Sequence, residues 1–302
     1  MLEDTGPDLL DLLNEHNGCL PEFMAAFFFC QLLQAAQYMH DKGYTHRDIK
    51  PENCMVQRSN HQLKLIDFGL SKHLESAKTL GVGTPDYLSP EMLQAYTGGT
   101  GGGASGYDAR AVDAWAMGVL MYLLTTGKYP FEDPRHPNVL SQTIQNVLHG
   151  RMQPFPSSMS PGCRALIMGL LQCNPKQRTT LQDLAKSEWL LSQAQAYGNQ
   201  VGRVDLLEPL ISLSETIKQD AAKQAAAKES GKEGGASTTD SHVCATAGPV
   251  TGAQGDEATQ AELCVESGDH AVGGGLKRHP RSTLSKVCSF FKRHIPANPR
   301  LP

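Results

Sequence analysis

The chain has 302 residues, 40% of them hydrophobic and 19% charged, diluted by 29 glycines, which leaves room for one large domain or two of ordinary size. A net charge of −4 supplies no general basic field for coating nucleic acid, and no apolar run approaches the ~20 residues that a membrane span needs. The acidic start, Met1-Leu2-Glu3-Asp4, lacks the basic-then-apolar order of a signal peptide. Cysteines scattered from Cys19 to Cys288, with no CxxC pair and no His/Cys cluster, argue against zinc or disulfide frameworks. They point to reduced thiols in the cytoplasm or nucleus.

In chain order, segment 22–40 (EFMAAFFFCQLLQAAQYMH) is apolar nearly all round, the pattern of a buried helix. Cys54-Met55-Val56 and Leu63-Lys64-Leu65-Ile66 read as short strands flanking a polar turn, Gln57 to Gln62. The run from Thr97 to Gly106 holds six glycines. No strand precedes it and no Lys-Ser/Thr ends it, so it reads as a flexible, dispensable surface insertion rather than a phosphate loop. Apolar spacing predicts helices over about 110–126, 138–149, 161–173 and 180–190. Composition then shifts near residue 192 towards Ala, Gly, Ser and Thr. Residues 236–276 hold six acids and no Lys or Arg, whereas 277–302 hold seven Lys/Arg and no acid. A tail of this kind buries too little apolar surface to offset its ordering entropy and is expected to be mostly disordered. Within it, Leu206, Leu210, Leu213 and Ile217 share one face of a helix predicted over 205–218, with Pro209 confined to its first turn. The fold class is mainly α with small β-hairpins, in two parts: 1–191 folded and 192–302 of low complexity.

Three motifs stand in fixed order: His46-Arg47-Asp48-Ile49-Lys50-Pro51-Glu52-Asn53, then Asp67-Phe68-Gly69 fourteen residues after Asn53, then Gly83-Thr84-Pro85-Asp86-Tyr87-Leu88-Ser89-Pro90-Glu91. A single triplet arises by chance at roughly one in 8,000 positions. Seven specified residues in order lower that by many orders of magnitude. The context agrees, because a loop follows a buried helix and a hairpin leads into Asp67.

Residues 1–191 resemble the carboxy-terminal lobe of the eukaryotic protein kinases. The resemblance implies phosphoryl transfer from ATP with Mg2+, a reaction in which the protein positions groups and stabilises charge. It makes Asp48 the acceptor of the substrate hydroxyl's proton and Lys50 the cation on the moving phosphoryl group. Thr84 would hydrogen-bond this pair, and Asn53 and Asp67 would supply hard oxygen ligands for magnesium. Asp8 would reach the ATP ribose. Arg47 would bind phosphate on the activation loop, with Thr79 as the phosphosite although its spacing to Gly83 is one residue longer than in close relatives. Glu91 and Arg178 match a buried ion pair, Asp113 matches an aspartate that braces the catalytic-loop backbone, and His46 reads as a core side chain. Lysine at position 50 with the Gly-Thr-Pro motif marks serine/threonine specificity.

Tyr129-Pro130-Phe131-Glu132-Asp133-Pro134 and Thr143-Ile144-Gln145-Asn146-Val147-Leu148 look like the plant sucrose-non-fermenting-related, stress-activated kinases of the calcium/calmodulin-kinase-like group. That likeness implies protein substrates with basic residues upstream of the target hydroxyl, read by Glu52, and an upstream activating kinase. The basic block at the end departs from that subfamily's acidic tail; it reads first as solvated charge, and the alternative is that, with Phe290-Phe291, it binds acidic surfaces or folds back on 236–276. No Gly-rich loop, strand lysine or helix-C glutamate stands ahead of the buried helix. The amino-terminal β lobe is thus expected to be missing, with Met1–Asp4 beside the hinge and the helix at 205–218 covering part of the interlobe face. Two readings follow: a serine/threonine kinase truncated to one lobe and weak by itself, or a non-catalytic kinase lobe that binds partners.

Overall fold

The computed structural model describes residues 6–73, 85–96, 107–137 and 139–230. Thr79, Thr84, the glycine-rich run and the charge-polarised tail lie outside the described residues. Two compact units divide the chain: residues through Lys218 lie in the first, and the described helical residues from Gln219 onward lie in the second.

Helix α1 (Leu9–Glu15) starts where Asp8 accepts a hydrogen bond from the Asp11 N–H at 2.9 Å. Helix α2 (Glu22–Asp41) is the axis of the first unit. Its residues from Met24 to Leu33 are all buried, as an all-round apolar helix requires, because later helices and a strand surround it. Strand β1 (Tyr44–Thr45) pairs antiparallel with β4 (Lys72–His73), and β2 (Cys54–Gln57) with β3 (Gln62–Leu65) in the register Cys54↔Leu65. The β1–β4 ladder brackets the segment that carries the first two motifs, and the β2–β3 hairpin lies between them.

Short helix α3 (Pro90–Tyr96) precedes α4 (Ala109–Thr126), a second buried helix. Asp108 caps the start of α4, and Gly127 ends it in the left-handed region at φ +69°, donating its N–H to the Leu123 carbonyl. Helices α5 (Leu140–Leu148) and α6 (Pro161–Leu170) follow as the apolar spacing implied, α6 stopping three residues sooner than expected. The expected helix at 180–190 is instead two: α7 (Leu181–Leu184) and α8 (Glu188–Val201). Ser187 restarts the helix by accepting from the Leu190 N–H.

Helix α8 runs straight through the compositional change at 192. Leu190, Leu191, Ala194 and Tyr197 are buried on it, and Tyr197 meets Phe27 of α2 edge-on at 5.2 Å. A 3₁₀ turn (Val204–Leu207) then leads into α9 (Glu208–Ser230), with Pro209 in its first turn. The inward face of α9 is not the one expected. Leu207, Leu210 and Ser214, at i, i+3 and i+7, are buried while Leu213 is 39% exposed, so the helix docks by a face rotated from the one through Leu206, Leu210, Leu213 and Ile217. This segment lies on α2 and α8 rather than over the motif loops: Gln34 of α2 donates to the Leu206 carbonyl, and Lys218 pairs with Glu188 at 2.9 Å.

Candidate active site

The loop between β1 and β2 gathers the first motif around one carboxylate. Asp48 is 8% exposed, and its Oδ2 accepts from Lys50 Nζ at 2.7 Å and from Asn53 Nδ2 at 3.0 Å. Asn53 Nδ2 also donates to the Asp48 carbonyl at 2.7 Å. The amide nitrogen is thereby engaged inside the loop, which leaves the Asn53 side-chain oxygen as its remaining ligand atom.

Asp113 of α4, 1% exposed, holds the loop from beneath. Its Oδ1 accepts the Arg47 N–H at 2.8 Å, and its Oδ2 accepts the His46 N–H at 3.0 Å and meets His40 Nε2 at 2.8 Å. Arg47 sits at φ +69°, a conformation uncommon for a residue with a side chain. Surrounding contacts must over-determine such a turn, and the Asp113 carboxylate supplies two of them. His46 is fully buried. Its Nδ1 accepts from the Asp48 N–H, and its Nε2 bonds the Ile66 carbonyl at 3.0 Å. It ties the two motifs together as a core side chain.

Asp67 is exposed at the end of that second connection, in the left-handed region at φ +61°, accepting from the Gly69 N–H at 3.3 Å. The β2–β3 hairpin joins it to Asn53, and the Ile66 N–H donates to the Asn53 carbonyl at 2.9 Å. Phe68 packs edge-on to His46 at 5.4 Å yet remains 55% exposed. An amide oxygen and a carboxylate, both hard donors, fit Mg2+, which keeps several waters and takes few protein ligands. Among the described residues no group of three His, Cys, Asp or Glu side chains suits a metal.

Asp8 lies beside this loop. It forms an isolated bridge with Met55 of β2, and its carboxylate is 4% exposed while capping α1. Burial pushes the Cys54 thiol well up, and the neighbouring Glu52 and Asp8 carboxylates add to the shift. Glu52 also raises Tyr87 and Tyr129, whose phenols are pushed up chiefly by burial and which meet edge-on at 5.9 Å. Both tyrosines stand within motifs named from the sequence, but neither was given a role of its own there.

Arg47 is 3% exposed, and Tyr107 stands against it. Burial raises the Tyr107 phenol, opposed by the charge and hydrogen bond of the Arg47 guanidinium. Glu91 of α3 and Arg178 form the expected pair, bidentate at 2.6 and 2.9 Å. Arg178 also donates to the carbonyls of Ala111 at 2.7 Å and Gln172 at 3.0 Å, and lies over the Trp115 ring at 5.0 Å. His40 went unnoticed in the sequence. Its only signal was a histidine at the end of a buried helix, and the partner that gives it meaning lies 73 residues away.

The first motif thus forms a buried carboxylate clasped by a lysine and an asparagine, on a loop braced from α4. The family model described as "Protein kinase domain" matches residues 2–190, and the chain belongs to that family. It is 36% identical over 178 residues to serine/threonine-protein kinase SRK2D of Arabidopsis thaliana, covering 58% of this chain and 47% of that protein. It is 34% identical over 217 residues to serine/threonine-protein kinase SAPK1 of Oryza sativa subsp. japonica, covering 68% and 61%. The chain spans about half the length of most of the curated relatives it matches.

Proposed function

We propose that this chain is the hinge and carboxy-terminal lobe of a serine/threonine protein kinase, acting on proteins with basic residues upstream of the target hydroxyl. The Asp48–Lys50–Asn53 cluster carries the reading. Asp48 accepts the proton of the substrate hydroxyl as that oxygen bonds to the γ-phosphorus of ATP. The bond to the β–γ bridging oxygen breaks, and ADP leaves. Lys50 offsets the charge that gathers on the transferred oxygens and keeps the Asp48 carboxylate aimed. Asn53 and Asp67 would hold Mg2+, which supplies Lewis-acid neutralisation of the phosphates. Glu52 reads the basic residue, Thr84 braces Asp48 and Lys50, Asp8 takes the ribose, and Arg47 receives phosphate at Thr79. The thiol pattern supports a cytoplasmic or nuclear setting.

These residues include no glycine loop and strand lysine ahead of the catalytic loop, so transfer by the 302 residues alone is slow. Misplacement of a substrate by ~1 Å can cost a hundredfold. The test is Mg2+-dependent phosphorylation of a basic peptide by the chain alone and by the chain joined to the amino-terminal lobe of a plant relative. Background transfer from the first and robust transfer from the second, lost in Asp48→Asn, are the expected results. Transfer that survives Asp48→Asn overturns the assignment. Robust turnover by the unjoined chain overturns the expectation that it is slow by itself and shows that one lobe suffices.

A further inference from the structure

The β2–β3 hairpin carries Asn53 at its entrance and Asp67 just past its exit, and its far end is held by residues from elsewhere in the chain. A two-stranded hairpin is marginal in isolation. From within, Gln31 of α2 donates to the His61 carbonyl at 3.1 Å and accepts from the Leu63 N–H at 2.9 Å. From the other side, Arg203 Nη1 donates to the Asn60 carbonyl, and Tyr197 meets the His61 ring edge-on at 6.0 Å. Arg203 is itself fixed. Its Nε and Nη2 fork onto Asp205, both at 2.8 Å, and its N–H donates to the Gly198 carbonyl at 2.7 Å. It lies beyond residues 2–190, where the family match ends.

We propose that Arg203 is a positioning residue for the candidate metal pair: by clamping the hairpin turn it holds Asn53 and Asp67 in register. The inference rests on the reading of those two residues as the magnesium side of the site. The lever is short. At about 3.3 Å per residue, four-residue strands span about 13 Å. Four paired positions, from Gln57↔Gln62 to Cys54↔Leu65, separate the turn from the junction where the Ile66 N–H meets the Asn53 carbonyl. A turn free to twist loosens that junction. The segment following the matched domain thereby becomes part of the catalytic scaffold.

Hydrogen exchange and ligand titration on the full chain test this with Arg203→Ala and Arg203→Lys. In Arg203→Ala the Ile66 and Leu63 amides exchange about tenfold faster, the effect of roughly one hydrogen bond from a charged donor, while α4 amides keep their rates. The Mg2+ concentration that half-saturates ADP binding rises about fivefold, and ADP affinity without Mg2+ is unchanged. Lysine, able to reach the Asn60 carbonyl but not to fork onto Asp205, recovers part of both effects. Unchanged Ile66 exchange overturns the proposal, as does equal acceleration in α4, or faster exchange with an unaltered Mg2+ requirement. If the chain by itself binds no nucleotide, the titration is made on the chain joined to the amino-terminal lobe of a plant relative, where an unaltered Mg2+ requirement in Arg203→Ala still overturns the proposal. Should Arg203→Ala fail to fold, Asp205→Asn loosens the fork while keeping the cation, and about threefold faster Ile66 exchange is then expected; no change overturns the clamp.

Discussion

Arg178→Met isolates the ion pair that anchors α3 to the body of the domain. The substitution deletes four hydrogen bonds, two of them to Glu91. It leaves the Glu91 carboxylate, 10% exposed, without its counter-ion, and uncovers the Ala111 and Gln172 carbonyls. Breaking a buried pair from one side costs about 3–5 kcal/mol, because the remaining charge is stranded in a poor solvent for it. In a folded unit of this size each kcal/mol moves Tm by about 2–4 °C, so Arg178→Met should melt about 6–20 °C lower when followed by far-ultraviolet circular dichroism. The double variant Arg178→Met/Glu91→Leu should recover most of the loss, since removing both charges removes the stranded one. Tryptophan fluorescence should shift as well, because the guanidinium leaves the face of Trp115. A loss below about 1 kcal/mol, or a double variant no more stable than the single, would refute the reasoning.

Asp113→Asn replaces one acceptor oxygen with a donor facing the loop N–H groups or His40; a loss of about 1–3 kcal/mol in urea unfolding is expected, and in the joined two-lobe protein the rate of transfer falls more than the affinity for peptide. Gly118→Ala places a methyl 2.7 Å from Leu170 Cβ where α4 and α6 meet. Overpacking strain of about 1–3 kcal/mol should exceed the helix-propensity gain of at most about 1 kcal/mol, and an unchanged melting temperature would show that α6 moves freely. Burial pushes the Cys163 thiol up to about 12 from 9.0, with the Glu22 charge adding to it. At pH 8 iodoacetamide should therefore label exposed Cys19 and spare Cys163 until the protein unfolds. The sign follows from linkage: with the folded value raised, the Cys163 contribution to stability is full below pH 9 and lost as pH climbs towards 12. Early labelling of Cys163, or a flat alkaline limb, would contradict its burial.

Much of the site was legible because its chemistry is packed into short stretches. Asp48, Lys50 and Asn53 fall within six residues, and a loop that short brings them together with little help. Helix α2 was legible because an all-round apolar segment has one place to go. The hairpin could be read from two apolar runs about a polar turn. Other features depend on meetings between distant segments. His40 and Asp113 meet across 73 residues, Arg203 and Asn60 across 143, and Tyr107 and Arg47 only once α4 is packed beneath the loop.

The sequence by itself determined the candidate site residues, their order, and the buried helix that leads into them, since local spacing and side-chain chemistry decide these. Where folding continues past residue 191 was a tertiary matter. Composition there turns small and polar, yet Tyr197 finds Phe27 and Phe28, and Leu207 and Leu210 find a surface already built by α2 and α8. The facing of α9 was likewise a tertiary matter: of the apolar stripes the segment offers, the one through Leu207 and Leu210 is buried while Leu213 stays exposed. Burial is a property of what arrives from elsewhere in the chain. A few well-placed apolar groups against a prepared surface stabilise helices that local composition would leave unformed.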